Sequence, residues 1–294
     1  MHNQKKANLY GLATVLLWST VASAFKLSLR YLDHIQLLFY ASIASILVLT
    51  FILIVQGKIG LLFTCTRRQY LRSLFLGLLN PCLYYLVLFK AYDLLPAQEA
   101  QPLNYTWAIT LALLSVPLLK QKIRLKNFAA LFVSYAGVVV ISTHGSPFSL
   151  RFSDPLGVVL ALGSTVIWSV YWIYNTKDER DPVAALLLNF LFALPFVTVL
   201  CLSFSSLRVP SIMGILGAAY VGIFEMGITF VLWLSALRLS RDTARVGNLI
   251  FISPFLSLVF IHYFVGEEIL VSTYFGLVLI IAGLLIQQIR GRRS

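Results

Sequence analysis

Ten apolar stretches alternate with short polar segments along the chain, over residues 9–29, 35–55, 71–90, 98–118, 127–143, 155–175, 183–203, 212–237, 244–264 and 273–289. About 20 apolar residues cross the hydrocarbon core of a bilayer as a helix, and lipid leaves the backbone no partner but itself. The pattern therefore predicts transmembrane helices along the whole chain. The shortest stretch, 127–143, fits if it stands steeply or uses Asn127 at the interface. The longest connections, 56–70 and 144–154, run to about a dozen residues and leave no room for a soluble domain.

The stretches also repeat. Trp18-Ser19 recurs as Trp168-Ser169, Gly77 in GLLNPCLYY as Gly222 in GIFEMGITF, and Ala136-Gly137 as Ala282-Gly283, at offsets of 145 to 150 positions. Each unit, 1–146 and 147–294, holds five stretches. A unit with an odd number of spans enters the bilayer in opposite senses in its two copies, so the arithmetic predicts an inverted repeat.

Composition agrees: 59% of residues are hydrophobic and 12% charged, against about 45–50% and 25% in soluble domains. The net charge of +12 follows from the loops. With the amino terminus inside, 18 of the 23 lysines and arginines fall on the inner side. The exceptions are Lys26, Arg30, Lys90, Arg151 and Arg208. The positive-inside rule then predicts both termini in the cytoplasm of a cell (inner) membrane protein. Nucleic acid is not needed to explain the charge, since no basic stretch lies outside short loops. Lys5-Lys6, an apolar run and Ala22-Ser23-Ala24 imitate a secretory signal, but cleavage would remove the helix that matches the sixth. Cys65, Cys82 and Cys201 suggest neither a disulfide framework nor a metal site. No P-loop motif occurs, so an ATP-driven pump would need a partner chain.

Several segments, in order, carry a family likeness: GLATVLLWST in the first helix, FAALFVSYAGVVVI in the fifth, LSRDTARVGNLIFISPFLSLVF into the ninth, GEEI after it, and YFGLVLIIAGLLI in the tenth. Through them the whole chain resembles the ten-helix, EamA-type permeases of the drug/metabolite transporter superfamily. LNYTWAITLALLSVPLLKQKI resembles the LNYLWP segment of relatives that export aromatic amino acids. Ala108 stands where those have proline, and Lys122 where the second half has Glu267 or Glu268. The resemblance implies an all-α integral membrane protein. Its ten transmembrane helices would form two inverted five-helix repeats around a central cavity that opens alternately to either side. It also implies a small-molecule substrate. Members move amino acids, nucleotide-sugar-like or other metabolites, or drugs; many export and some import.

The residues nominate the lining of such a cavity. Glu225 lies mid-span, where a charge costs about 2.5–3.5 kcal/mol to insert. Gly222, Thr229 and Ala236 make its face small and polar. It fits a substrate-ammonium or proton site; a protonated carboxyl bonded to a neighbouring helix fits as well. Its repeat-related residue is Asn80, with Gly77 and Tyr84 on the same face, so Asn80 and Glu225 are expected to approach one cavity from opposite sides. A helix-bridging hydrogen bond is the other role open to Asn80. Trp18, Trp168, Tyr84, Tyr105 and Trp107 offer flat rings for stacking on an organic solute or holding a cation. An interfacial aromatic belt explains Tyr171, Trp172 and Tyr174 equally well. Asn189 and Asn248 are further candidate contacts, Lys26 is expected to snorkel to the headgroups, and Pro254 to bend the ninth helix. His262 reads as interfacial.

The resulting expectation is a secondary transporter of a small organic metabolite, an amino acid or related amine-bearing solute, with export as the expected direction. Import or exchange of a nucleoside-like solute or a sulfonium or drug-like cation is the alternative. A membrane-embedded enzyme is remote, because the spans hold no interior Asp and no HExxH that would give Glu225 a catalytic partner. The expected surroundings are membrane lipids, with a coupling proton or ion, no cofactor, and a monomer or weak dimer.

Overall fold

The computed structural model describes residues 3–119, 125–146, 148, 152–175, 177–208, 211–240 and 248–288. Lys122 and the start of the ninth stretch, 244–247, lie outside the described residues. The α-helices, in chain order, are α1 Gln4–Ser28, α2 His34–Val55, α3 Arg67–Gly77, α4 Tyr84–Leu94, α5 Ala97–Tyr105, α6 Trp107–Leu119, α7 Leu125–Ser142, α8 Pro155–Asn175, α9 Pro182–Phe204, α10 Ile212–Tyr220, α11 Thr229–Leu239, α12 Ser253–Phe260 and α13 Val271–Gln288. No strand occurs among the described residues.

Among the described residues, six helices are long and apolar enough to cross a membrane: Gln4–Ser28, His34–Val55, Arg67–Leu94, Pro155–Asn175, Pro182–Phe204 and Ile212–Ala236. Shorter apolar helices follow at Phe128–Ser142, Leu249–Val265 and Val271–Ile286. Phe51, Phe132, Val199, Phe204 and Phe275 stand exposed on the outer surface. Large rings and branched chains on so many outward faces suit acyl chains, not water.

Two of the long spans are interrupted at repeat-related places by wider, π-type turns, Leu78–Leu83 between α3 and α4 and Val221–Ile228 between α10 and α11. Such turns leave backbone groups out of register and are frequent at functional sites. Asn80 sits in the first and Glu225 in the second.

Two helix pairs, α2 with α9 and α7 with α13, pack antiparallel. Asp33 caps the start of α2, accepting from the Ile35 and Gln36 amides at 2.8 and 2.9 Å. Its other carboxylate oxygen accepts from Ser205, just past the end of α9. Asp181 caps the start of α9 in the same way, through the Val183 and Ala184 amides. Lys58, just past the end of α2, donates to it at 2.8 Å. The start of each helix thus lies beside the end of the other. Along the α7–α13 contact, Ala130 and Ser134 meet Gly283 while Gly137 meets Gly276, so one chain rises as the other falls.

Glycines set the closest approaches. A Cβ on Gly77 would strike the Asn189 carbonyl of α9, and one on Gly222 the Ala41 carbonyl of α2. Small residues let helix backbones touch where lipid supplies no hydrophobic drive.

One end of the bundle is tied by polar links to backbone groups. Lys26 does not snorkel: its ammonium donates to the carbonyls of Tyr92 and Leu95, both at 2.7 Å. These belong to the last turn of α4, where carbonyls lack intrahelical partners. Arg30 donates to the Val265 carbonyl at 2.6 Å. The Glu267 carboxylate of GEEI accepts from the Ala97 and Gln98 amides at 2.7 and 3.0 Å, capping α5, whose own cap residue, Pro96, offers no side-chain acceptor. Pro254 opens α12 from its first turn, where a missing N–H costs nothing, so it starts a helix instead of bending one. His262 is exposed, with Nδ1 3.0 Å from the Glu267 carbonyl.

At the other end, Arg180 donates to Asp178 through Nε at 2.9 Å and Nη2 at 2.5 Å, and to Ser73 Oγ at 2.9 Å. Burial works against the Asp178 carboxylate, yet the Arg180 hydrogen bonds outweigh it and hold the carboxyl below its usual range. The pair's contribution is therefore complete above the unfolded carboxyl's pKa of about 4 and is lost as pH falls through the lower folded value. Asp178→Asn is expected to lower stability by about 2 kcal/mol at neutral pH. The loss should shrink below pH of about 4, as measured by thermal unfolding of the purified protein in detergent.

Candidate functional site

A cavity of about 420 Å3 lies inside the bundle, within the range of about 300–1,000 Å3 usual for small-ligand sites. Both units contribute to it. Trp18 and Phe25 reach it from α1, Tyr84 and Tyr92 from α4, Asn104 and Tyr105 from α5, and Trp107 from α6. Trp168 and Trp172 come from α8, Glu225 from the π-type turn, Trp233 from α11 and Leu284 from α13.

The rings form one connected surface. Tyr84 stacks on Trp168, with centroids 4.5 Å apart and planes 28° from parallel. Trp18 lies 5.6 Å from Trp233. Phe230 joins the two groups: it meets Trp18 edge-on at 6.3 Å, Trp168 edge-on at 5.8 Å, and Trp172 nearly parallel at 6.4 Å. Contacts of this geometry add about 0.5–1.5 kcal/mol each beyond area burial. They also restrict ring rotation, so the wall is held in shape before a solute arrives.

Glu225 is the one formally charged side chain among the described lining residues. The Tyr85 hydroxyl donates to its Oε1 at 3.0 Å, and the Trp18 indole stands beside the carboxyl. Oε2 is buried with no hydrogen-bond partner. The Trp172 indole N–H is likewise buried and unpartnered. Unpaired polar atoms in an apolar wall are costly unless something pairs with them. A solute with an ammonium for Oε2 and an acceptor for the indole would do so.

Polar side chains fix the far wall. Asn104 Nδ2 donates to Ser164 Oγ at 3.0 Å, holding α5 to α8, and its Oδ1 lies 3.5 Å from the Tyr84 hydroxyl. Thr110 and Thr165 share a 3.0 Å hydrogen bond. Ser257 of α12 donates to the Gln101 carbonyl oxygen.

Six expected residues thus meet at the cavity: Trp18, Tyr84, Tyr105, Trp107, Trp168 and Glu225. Asn80 does not. It is buried beside the Tyr171 hydroxyl together with Asn189, away from the lining, because the non-helical backbone at residue 80 turns its side chain off the face that Tyr84 uses. Asn248 opens the 3-10 turn Asn248–Ile252, and its side chain lies outside those described; Ile250 and Phe251 of that turn reach the cavity. Tyr171 and Trp172 are not a belt: Tyr171 is fully buried and Trp172 lines the cavity. Phe230, Trp233 and Gln101 escaped the sequence reading. An apolar ring on a membrane helix carries no mark of whether it faces lipid or a cavity.

Comparison with known proteins agrees with this architecture. One relative, an uncharacterized transporter of Archaeoglobus fulgidus, is 26% identical over 285 residues, covering 95% of this chain and 96% of its own. The aromatic amino acid exporter YddG of Ancylobacter novellus is 25% identical over 267 residues, covering 87% of each chain. A solved structure superposes with a TM-score of 0.68 at 22% identity over 97% of both chains, which speaks for the fold alone. The sequence profile of the EamA-like transporter family matches residues 5–143 and again 155–287. Two matches spanning nearly the whole chain, on a helical bundle with apolar outer faces, establish that this multi-pass membrane protein belongs to the EamA-like transporter family.

Proposed function

We propose that the protein is a secondary transporter that moves a small organic, amine-bearing metabolite, an amino acid or a related amine, by alternating access. The observation that carries this reading is the Glu225 carboxylate, with one unpaired oxygen, set in an aromatic wall that both units build. Glu225 takes the positive group or a coupling proton. Trp18, Trp168, Tyr84, Tyr105 and Trp107 stack on the body of the solute. Asn248 enters through its place at the head of the turn that carries Ile250 and Phe251, and Asn80 through the packing of Tyr171.

The architecture we infer has ten spans in two inverted five-helix repeats, 1–146 and 147–294, with both termini in the cytoplasm of the cell (inner) membrane. The paired caps of Asp33 and Asp181 and the opposed run of α7 and α13 support inversion. Rocking of the repeats about a fixed midplane site then exposes it to one side at a time. Lys26, Arg30 and Glu267, which tie α1, α4, α5 and the α12–α13 loop together, make the closed end in this state. Export is the direction favoured by the named function of the Ancylobacter novellus relative.

Purified protein in proteoliposomes tests the proposal. Screening metabolites by thermal stabilisation identifies a ligand that prefers the folded state. Counterflow with that ligand is expected to be saturable and accelerated by solute on the opposite side. Unitary currents without saturation would replace the carrier with a channel.

A further inference from the structure

Within the transporter reading above, the geometry points to a narrower substrate class: we infer that the cavity selects an aromatic or similarly flat organic amine that lacks a carboxylate, over the amino acid from which such an amine derives.

The positive half of the argument rests on Glu225. One oxygen accepts from Tyr85, the other is buried and unpartnered, and the residue contributes to the cavity wall. An ammonium supplies the donor this oxygen lacks, together with the charge. Trp18 and Trp168 also line the cavity, and the π-faces of such rings attract cations. A neutral donor would pair the oxygen without matching its charge, and an anionic solute would be repelled by it.

The negative half rests on where the nearest cation is spent. An α-amino acid brings a carboxylate as well, which needs a basic partner once desolvated. Lys26 follows Phe25, a lining residue of α1, and is placed to serve. Its ammonium instead donates to the Tyr92 and Leu95 carbonyls, both at 2.7 Å, and it is not part of the wall. The described lining residues include no lysine, arginine or histidine. What remains for an acceptor on the solute is a set of neutral donors, the unpartnered Trp172 indole N–H among them, suited to a hydroxyl or carbonyl oxygen. Among the described residues the wall therefore offers a partner for one positive charge and none for a negative one.

The test is equilibrium binding to the full-length purified protein in nanodiscs with three probes that share a ring and spacing: phenethylamine, phenylalanine and 3-phenylpropionate. Phenethylamine is expected to bind most tightly, phenylalanine about tenfold or more weakly, and phenylpropionate not measurably. Glu225→Gln should erase the advantage of the amine, and the wild-type series stands by itself if that variant does not fold. Phenylalanine binding as tightly as phenethylamine overturns the inference. If phenylalanine also shows counterflow, the transporter reading survives that failure. Phenethylamine that binds Glu225→Gln undiminished overturns the inference as well. Binding of none of the three overturns it too, and the metabolite screen then decides the transporter reading separately.

Discussion

Glu225→Gln is expected to cut counterflow of the preferred amine by roughly a hundredfold, the equivalent of about 3 kcal/mol of lost pairing. The glutamine keeps the size of the glutamate and its acceptor oxygen, so the Tyr85 hydroxyl still has a partner in place of Oε1. It removes the charge that faces the solute. Inside a low-dielectric cavity that charge has no water to share its role, which is why one atom exchange carries so large an effect. Stability should move little, because the carboxylate's second oxygen bonds to nothing in the protein. The prediction is thus a split: flux collapses while the thermal unfolding midpoint in detergent stays close to that of the parent. If Glu225 were packing glue between helices, the outcome would reverse, with stability lost and residual flux per folded molecule retained.

The second large effect is on folding. Gly222→Ala is expected to destabilise the protein by about 1–3 kcal/mol, toward the upper end, because the added methyl meets a backbone carbonyl and not a side chain that can swing aside. That carbonyl belongs to Ala41, with the Ala44 methyl also in the way. Gly77→Ala should behave alike, since its methyl meets the Asn189 carbonyl at the repeat-related contact. Gly163→Ala supplies the contrast. Nothing lies within 4 Å of the new methyl there, and a helical glycine replaced by alanine gains about 0.5–1 kcal/mol. One chemical change therefore has opposite signs at helical glycines, and unfolding midpoints of the three variants measure it. A Gly222→Ala protein as stable as the parent would mean the α2 contact is looser than the backbone approach described here.

Much of this architecture is legible before any coordinates. The alternation of apolar stretches with basic loops marks the helices, and Gly77 with Gly222 marks two of the close interhelical contacts. Glu225 announces itself because a charge at mid-span needs a reason. Other features could not be read, and for identifiable causes. Lys26 looks like a snorkelling residue because sequence does not reveal that α4 ends beside it with free carbonyls. Tyr171 and Trp172 sit near a span end, where a belt and a buried wall have the same composition. Asn80 shares its repeat position with Glu225 but not its direction, since the two π-type turns differ in backbone at that residue. The caps of Asp33 and Asp181, 148 positions apart, were available as a signal of opposed helices. Their meaning emerges only once Ser205 and Lys58 are seen to answer them.

Substrate protection of two single cysteines tests the central claim most directly. Trp18→Cys and Trp233→Cys, in a background without Cys65, Cys82 and Cys201, put one thiol in each unit on the cavity wall. Both should react with a water-soluble maleimide, and saturating substrate should slow the two reactions in parallel, with one half-maximal concentration. Protection of one thiol alone, or labelling of either that is indifferent to substrate, would contradict a single solute site shared by the two units.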